Sequence, residues 1–145
     1  MFQEYRNGYG NLTFSNGGVY KGFWKINKMH GKGTLYYPNG QKAYEGYWYE
    51  DQFNEYGHLF NNKFKIFNTK FDYKDFSQIK NQWIKYEGEF NFDKKQGFGT
   101  IFLANGEKYI GNFKQDKIHG YGMFYDINGQ CISGYWENNL LLKKM

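Results

Sequence analysis

The sequence has one cysteine, one proline and no long apolar run, and each scarcity excludes a class of protein. Cys131 alone cannot form an internal disulfide, which is typical of a reduced, intracellular protein. No segment resembles a signal peptide or is long and apolar enough to span a bilayer. We therefore expect a cytoplasmic protein that is neither secreted nor membrane-spanning. With one proline, the chain has to make its turns with its 19 glycines.

Groups that could perform catalysis or bind a metal are also scarce. His30 and His119 precede equivalent glycines of an internal repeat, and His58 has no cysteine or carboxylate at ligand spacing. Glu45 and Glu87 fall at outward strand positions, which favours a solvated face over acid/base chemistry. The Gly-x-Gly motifs precede strands, so they do not form a dinucleotide loop. The sequence predicts no enzyme, no metal site and no cofactor.

Aromatic residues are abundant, with 15 Tyr, 15 Phe and 4 Trp among 145 residues. Rings favour strands over helices and supply most of the area that this chain can bury. The length fits a single domain, residues 1–145. A net charge of +5 permits contact with an acidic protein, an anionic lipid or a nucleic acid, but it requires none of them.

The chain repeats itself at an offset of 23 residues. The segment YEGEF at 86–90 recurs as YIGNF at 109–113 and as ISGYW at 132–136. In the first half YKGFW at 20–24 recurs as YEGYW at 44–48, with one residue inserted. We therefore predict a partial repeat at 1–19, repeats that start at Tyr20, Tyr44, Tyr86 and Tyr109, and a partial repeat at 132–145.

Each repeat is predicted to form two antiparallel strands. The first strand alternates ring, glycine and ring on one face, and its mid-strand glycines leave space for a neighbouring ring. These glycines are Gly22, Gly46, Gly88, Gly111 and Gly134. A polar turn of five or six residues, such as 91–96, is expected to join the two strands. Asn-Gly pairs at 16, 39, 105 and 128 predict tight two-residue hairpins in which both residues have positive φ.

The fold class that follows is all-β, an antiparallel meander of β-hairpins that forms one elongated, twisted sheet. The predicted strands are residues 8–15, 19–25, 31–37, 43–49, 56–67, 86–91, 98–104, 107–113, 121–126 and 131–137.

These motifs resemble the MORN (membrane occupation and recognition nexus) repeat. Its pattern is Tyr-x-Gly-x-aromatic, then Gly-x-Gly, then an Asn/Asp-Gly turn, and here it covers nearly all of the chain outside residues 58–85. The resemblance implies tandem β-hairpins. It also implies functions known for such proteins: scaffolds in ciliary radial spokes or at the cell cortex, and phospholipid binding.

The repeat is interrupted at residues 58–85. Phe76, Ile79 and Trp83 are spaced as on one face of a helix, which predicts a short helix near 73–84. The alternative is a degenerate repeat with longer strands. The many rings of this insertion indicate that it either covers one face of the meander or forms a docking surface for a partner, and we favour the first.

Both ends of the chain begin or finish in the middle of a repeat. The strand at 132–136 is expected to lack a partner after it, and the first Gly-x-Gly strand to lack one before it. We expect other chains to pair with or cover these edges. Leu140, Leu141 and Leu142 follow the second edge and, with Phe76, Ile79 and Trp83, are candidate docking residues.

A row of lysines is predicted along one edge of the meander. Lys28, Lys94 and Lys117 occupy the same repeat position, and Lys25 and Lys114 lie nearby. Such a row would suit anionic lipid headgroups or an acidic protein.

Three functions are considered. The favoured one is a non-catalytic scaffold that binds other protein subunits in a larger intracellular assembly, in an axonemal or cytoskeletal setting. The alternative is a peripheral membrane module that binds anionic phospholipid through the lysines. Binding of single-stranded RNA by rings is disfavoured, because the rings are assigned to the packing face, and we expect no nucleic acid partner.

Overall fold

A computed structural model of the protein describes residues 5–145, so the first four residues of the predicted partial repeat 1–19 lie outside it. Eleven antiparallel strands form a single sheet in chain order, which confirms the all-β meander. The strands are β1 Gly8–Thr13, β2 Val19–Lys25, β3 Lys28–Tyr36, β4 Lys42–Tyr49, β5 Gln52–Phe60, β6 Trp83–Asn91, β7 Lys94–Leu103, β8 Lys108–Lys114, β9 Lys117–Tyr125, β10 Cys131–Glu137 and β11 Leu140–Lys144. No helix within residues 5–145 is long and apolar enough to cross a lipid bilayer.

One face of the sheet, here called the inner face, carries the core. Tyr86, Gly88 and Phe90 of β6 are buried on it, while Glu89 between them is exposed on the opposite, outer face. The tyrosine and the second ring of each first strand pack edge to face along the inner face. The rings that form this row are Tyr20, Trp24, Tyr44, Trp48, Tyr86, Phe90, Tyr109, Phe113 and Trp136.

Glycines form a continuous row across β1–β10, because each lies directly opposite the next. A Cβ atom on Gly88 would lie 2.5 Å from the Cα of Gly99 and 2.6 Å from the hydroxyl of Tyr86. That hydroxyl donates a hydrogen bond of 2.7 Å to the carbonyl of Glu89. The glycines thus let the tyrosine rings lie against the backbone. At Gly134 the side chain of Leu141 takes the place of the ring.

The two kinds of turn are the reverse of the prediction. The strands of a repeat are joined by two residues, both at positive φ, as in Phe92 (φ 45°) and Asp93 (φ 69°). The five- or six-residue turn predicted at 91–96 is therefore wrong, since β6 and β7 run up to this tight turn. The Asn-Gly segments form three-residue loops instead. In the first, the Gly17 amide donates to the Phe14 carbonyl, and only the glycine of the Asn-Gly pair has positive φ.

Residues 61–82, here called the strap, cross the inner face of the C-terminal half. The predicted helix near 73–84 is wrong: the strap contains only the 3₁₀ turn Phe76–Gln78, Lys80 has φ 43°, and Trp83 begins β6. The predicted strand 56–67 is β5, which ends at Phe60. Helical spacing failed as a signal because Phe76 is held by rings of distant strands. The expectation that the insertion covers one face agrees with this arrangement.

The C-terminal strand has a partner within the chain, contrary to the prediction for residues 132–136. β11 pairs with β10, with a bulge between Tyr135 and Trp136. The strap holds β11 from the other side: the Leu141 amide donates 2.9 Å to the Lys74 carbonyl, and the Phe76 amide donates 2.8 Å to the Asn139 carbonyl. The edges of the described sheet are therefore β1 and β11.

Candidate interaction surfaces

The histidines and carboxylates that could have formed a catalytic or metal site are dispersed. No cluster of three or more metal-ligating side chains is found among residues 5–145. Nδ1 of His119 accepts the Asn138 amide at 3.1 Å, whereas His30 packs on Tyr49, with 5.1 Å between ring centroids. Glu45 pairs with a lysine on the sheet surface. The sheet offers three candidate surfaces: the turn edge, the outer face and the inner face.

The first candidate surface is the edge formed by the two-residue turns. Lys28, Lys94 and Lys117 are the first residues of β3, β7 and β9, and Lys25 and Lys114 lie directly opposite two of them. Between them lie Asp51, Asp93 and Asp116, the second residues of three turns. Nζ of Lys94 lies 3.7 Å from a carboxylate oxygen of Asp116. Lysines and aspartates therefore alternate along this edge, and it is not a row of basic residues alone.

The turn aspartates are functional residues that the sequence reasoning missed. The Asp93 amide donates 2.8 Å to the carbonyl of Phe53, and its carboxylate accepts the Phe53 amide at 2.7 Å. The same pair of bonds joins Asp51 to Met29, Asp116 to Lys95 and Asn139 to Ile118. Each turn is thus bound to the preceding hairpin. The sequence contained a signal for these bonds, because Asn or Asp recurs at this repeat position.

Lys95 lies beside this edge but is not a surface lysine. Its ammonium group lies over the rings of Trp83 and Tyr86, 5.3 Å and 5.4 Å from their centroids. Burial lowers the pKa of Lys95, while the carboxylate of Asp116, at 3.9 Å, acts in the opposite direction. Its role is to fill a gap in the core and to hold the neighbouring turn.

The second candidate surface is a row of rings on the outer face. The sequence reasoning assigned the rings to the packing face, but seven of them project from the opposite face beside the glycine row. Six of these are between 41% and 66% exposed. The row, including the seventh ring, is Tyr9, Phe23, Tyr47, Tyr56, Phe98, Tyr121 and Tyr135. No other described element covers it.

Two shallow grooves accompany the outer row of rings. The N-terminal groove, of about 590 Å³, is lined by Tyr9, Phe23, Tyr47 and Tyr56 together with Lys21, Lys32, Glu45 and His58. The C-terminal groove, of about 350 Å³, is lined by Phe98, Tyr121 and Met123 and by glycine backbone. The wall of the N-terminal groove carries charges of both signs, whereas the C-terminal groove is lined by uncharged residues such as Asn112 and Ser133, so the outer face combines rings with polar groups.

The third candidate surface is the inner face, which has a covered half and an open half. In the covered half Phe76 is 1% exposed and packs against Tyr109, Phe124 and Trp136. The indole of Trp136 donates 2.8 Å to the Tyr73 carbonyl. Burial therefore removes Phe76 from any docking surface in this conformation, and Ile79 and Trp83 are partly buried against the same core.

The open half of the inner face has no such cover. A groove of about 490 Å³ is lined there by Phe14, Met29, Leu35, Trp48 and Phe53. Asp51 and Asp93 lie at its rim.

The three C-terminal leucines divide between core and surface. Leu141 packs against the core, whereas Leu140 and Leu142 on β11 are 50% and 59% exposed. Only these two can contribute apolar surface to a partner at this edge.

The fold defines a β-hairpin repeat protein built on a single antiparallel sheet. The family model for the MORN repeat matches residues 5–19, 20–42, 44–62, 86–108 and 109–131. The chain belongs to the MORN repeat family, a non-catalytic repeat family of protein-interaction or membrane-binding modules. A search of curated proteins finds no significant match.

Proposed function

We propose that the protein is a non-catalytic scaffold subunit that holds partner proteins in a larger intracellular assembly. The observation that supports this is the outer row of exposed rings, which no described element covers. A contiguous apolar patch with polar flanks is typical of a protein-binding surface. The exposed edge β1 offers a further place for strand pairing, and Leu140 and Leu142 on β11 add exposed apolar side chains beside the strap.

Mixed charge along the outer row favours a protein over a nucleic acid. Glu45, Glu87 and Glu89 lie among the rings of this face and would repel a phosphate backbone. Glu89 is engaged in the sheet itself, since its carboxylate accepts the Phe98 amide at 2.6 Å. The expected setting is the ciliary axoneme or the cytoskeleton, and localisation of the tagged protein in its native cells is the direct measurement.

The experiment uses the triple variant Tyr9→Ser, Phe98→Ser, Tyr121→Ser and capture of partners from native extract with mass spectrometry. We expect the variant to keep the wild-type melting profile, since these rings lie outside the core, and to lose the captured proteins. Its control is the triple Lys63→Ser, Lys65→Ser, Lys70→Ser, which changes exposed residues of the strap and leaves the outer face unaltered. A wild-type chain that captures no protein, or a ring variant that captures the same set, contradicts the proposal.

A second candidate function is peripheral binding to anionic phospholipid. It is favoured by the opposed pairs Lys25–Lys28 and Lys114–Lys117, none of which forms an ion pair with a described carboxylate. The turn aspartates act against it. Flotation with phosphatidylserine vesicles, comparing the chain with its Lys28/Lys94/Lys117→Glu variant, is the test. Flotation that is lost in the variant supports lipid binding, and flotation that is unchanged or absent excludes this edge.

A further inference from the structure

We propose that the open half of the inner face binds an extended segment of a partner protein in which an aromatic residue is flanked by Lys or Arg. This inference names one partner chemistry for the scaffold and so rests on the proposed function. It concerns a surface other than the outer row of rings. The groove of about 490 Å³ has Leu35, Met29 and Trp48 as its floor and Asp51 and Asp93 at its rim.

The open groove is the repeat equivalent of the place where the strap lies in the covered half. The correspondence follows from the strands: β2, β3 and β4 repeat β8, β9 and β10. The equivalent pairs are Tyr20 and Tyr109, Met29 and Ile118, Leu35 and Phe124, Trp48 and Trp136, and Asp51 and Asn139. Ile118 and Phe124 are 3% and 1% exposed under the strap. Their counterparts Met29 and Leu35 are only partly buried.

The strap shows how a segment fills such a groove. Its most buried ring is Phe76, with Phe71 packed on it and Tyr73 packed on Phe124, and its backbone is fastened at both rims. The Phe76 amide donates to the Asn139 carbonyl at one rim, and the Phe71 amide donates 2.8 Å to the carboxylate of Glu107 at the other. An extended segment with an aromatic residue is therefore an occupant of the right shape for the equivalent groove.

The rims of the two halves differ in charge, and this difference selects the occupant. Neutral Asn139 is replaced by Asp51, and Asp93 adds a second carboxylate beside it. Neither forms an ion pair with another residue in the range 5–145, whereas Asp116 at the covered half pairs with Lys94 and Lys95. Each of these carboxylates accepts a backbone amide but has no cation partner among the described residues, and beside an apolar groove the two complement a cation next to a ring.

The same charges disfavour two other occupants. In the strap Asp72 and Asp75 are balanced by Lys70 and Lys74, and Asp75 directly precedes Phe76, so the strap of a second copy brings no net positive charge to Asp51 and Asp93. An anionic lipid headgroup would meet the same repulsion. At the opposite rim Gly18 stands where Glu107 accepts the strap's amide, so the open groove lacks that bond as well.

The test uses two synthetic fluorescent peptides and the full chain. One has the strap sequence 69–78, and the other has the same sequence with Asp72→Lys and Asp75→Lys. We expect the lysine peptide to bind about tenfold more tightly in fluorescence polarisation, because it replaces two carboxylates near Phe76 by cations that can pair with the rim carboxylates.

The double variant Asp51→Asn, Asp93→Asn should weaken the lysine peptide about tenfold. Asparagine keeps the side-chain oxygen that accepts the backbone amide, as Asn27 and Asn139 do at this repeat position. Asp116→Asn is the matched control and should leave the affinity unchanged.

Several results would overturn the inference: no binding of the lysine peptide, equal binding of both peptides, or equal weakening by Asp116→Asn. Concentration-dependent dimerisation that blocks binding of the lysine peptide would assign the groove to a second copy. If the chain captures partners through the outer rings but does not bind the lysine peptide, only this inference is refuted. Peptide binding by a chain that captures no native protein refutes the proposed scaffold role of the outer row.

Discussion

The inner face of the sheet consists of two halves that share one repeat and differ in what lies on them. Over β8–β10 the strap buries Ile118, Phe124 and Trp136, and over β2–β4 the equivalent side chains form an open groove. The tyrosine row is equally buried in both halves, since Tyr20 and Tyr109 are both 0% exposed. The difference teaches that the repeat builds a uniform platform. Residues at the rim, Asn139 and Glu107 against Asp51 and Gly18, then determine which segment can lie on it.

The largest expected effect is removal of the strap's anchor. Phe76→Ala should lower the free energy of unfolding by about 4 kcal/mol, because it leaves a cavity among Tyr109, Phe124 and Trp136. Urea unfolding gives the free energy, and hydrogen exchange should show faster exchange in β8–β10 than in β2–β4. The control is Phe64→Ala, an exposed ring of the same strap. Equal effects of the two variants would mean that the strap does not stabilise the covered half.

A side chain in the glycine row should have the same effect in both halves. Gly46→Val and Gly111→Val should each cost about 3 kcal/mol, because the Cβ at either position would lie 2.5 Å from the Cα of the opposing glycine. The control is Gly40→Val in a turn. Gly40 has positive φ and no atom within 4 Å of an added Cβ, so this variant measures backbone strain without a clash. Thermal melts measure the three. If Gly46→Val does not lower the melting temperature, the sheet of the open half is packed less tightly than that of the covered half.

The repeat position of Leu35 is filled by the buried Ile101 on β7, and truncation of the side chain should cost less at Leu35. Ile101→Ala should cost about 3 kcal/mol and Leu35→Ala about 1 kcal/mol, because Ile101 is 5% exposed and Leu35 lies in the open groove. The comparison is made by urea unfolding. If a partner segment covers the open groove, adding the lysine peptide should increase the cost of Leu35→Ala. A larger loss at Leu35 in the free chain contradicts the description of this half as open.

The smallest effect concerns the buried tyrosines at alkaline pH. Burial raises the pKa of Tyr20 to about 12 and raises that of Tyr109 as well. Above pH 10 the unfolded chain loses these protons and the native chain keeps them, so stability falls as pH rises. Between pH 10 and 11 the loss is about 1 kcal/mol for each tyrosine, because the unfolded side chain is already half ionised at pH 10. Tyr20→Phe and Tyr109→Phe should each remove this loss.

A difference between the two losses would show that the strap changes the burial of the tyrosine row. Stability that does not fall above pH 10 in the wild-type chain would contradict the burial of these hydroxyls.

Much of the fold could be predicted because its causes are local. The 23-residue offset, the alternation of Tyr86, Gly88 and Phe90, and the paired glycines are properties of neighbouring residues, and they specify strands, their faces and their pairing. The candidate surfaces were less accessible. The lysines of the turn edge were visible in the sequence, but their neutralisation by Asp116 and its equivalents required the pairing of one turn with the preceding hairpin.

The sequence by itself determined the repeat, the antiparallel meander and the row of tyrosines over glycines. Only the tertiary structure decided the course of the strap, the pairing of β11 and the exposure of the outer rings. Phe76 lies beside Trp136 because both bury apolar area there, and nothing in the local spacing of either residue expresses that contact. Likewise Phe92 and Asp93 adopt positive φ although neither is glycine, because two hydrogen bonds between Asp93 and Phe53 stabilise the turn. These bonds join segments that are far apart in the chain.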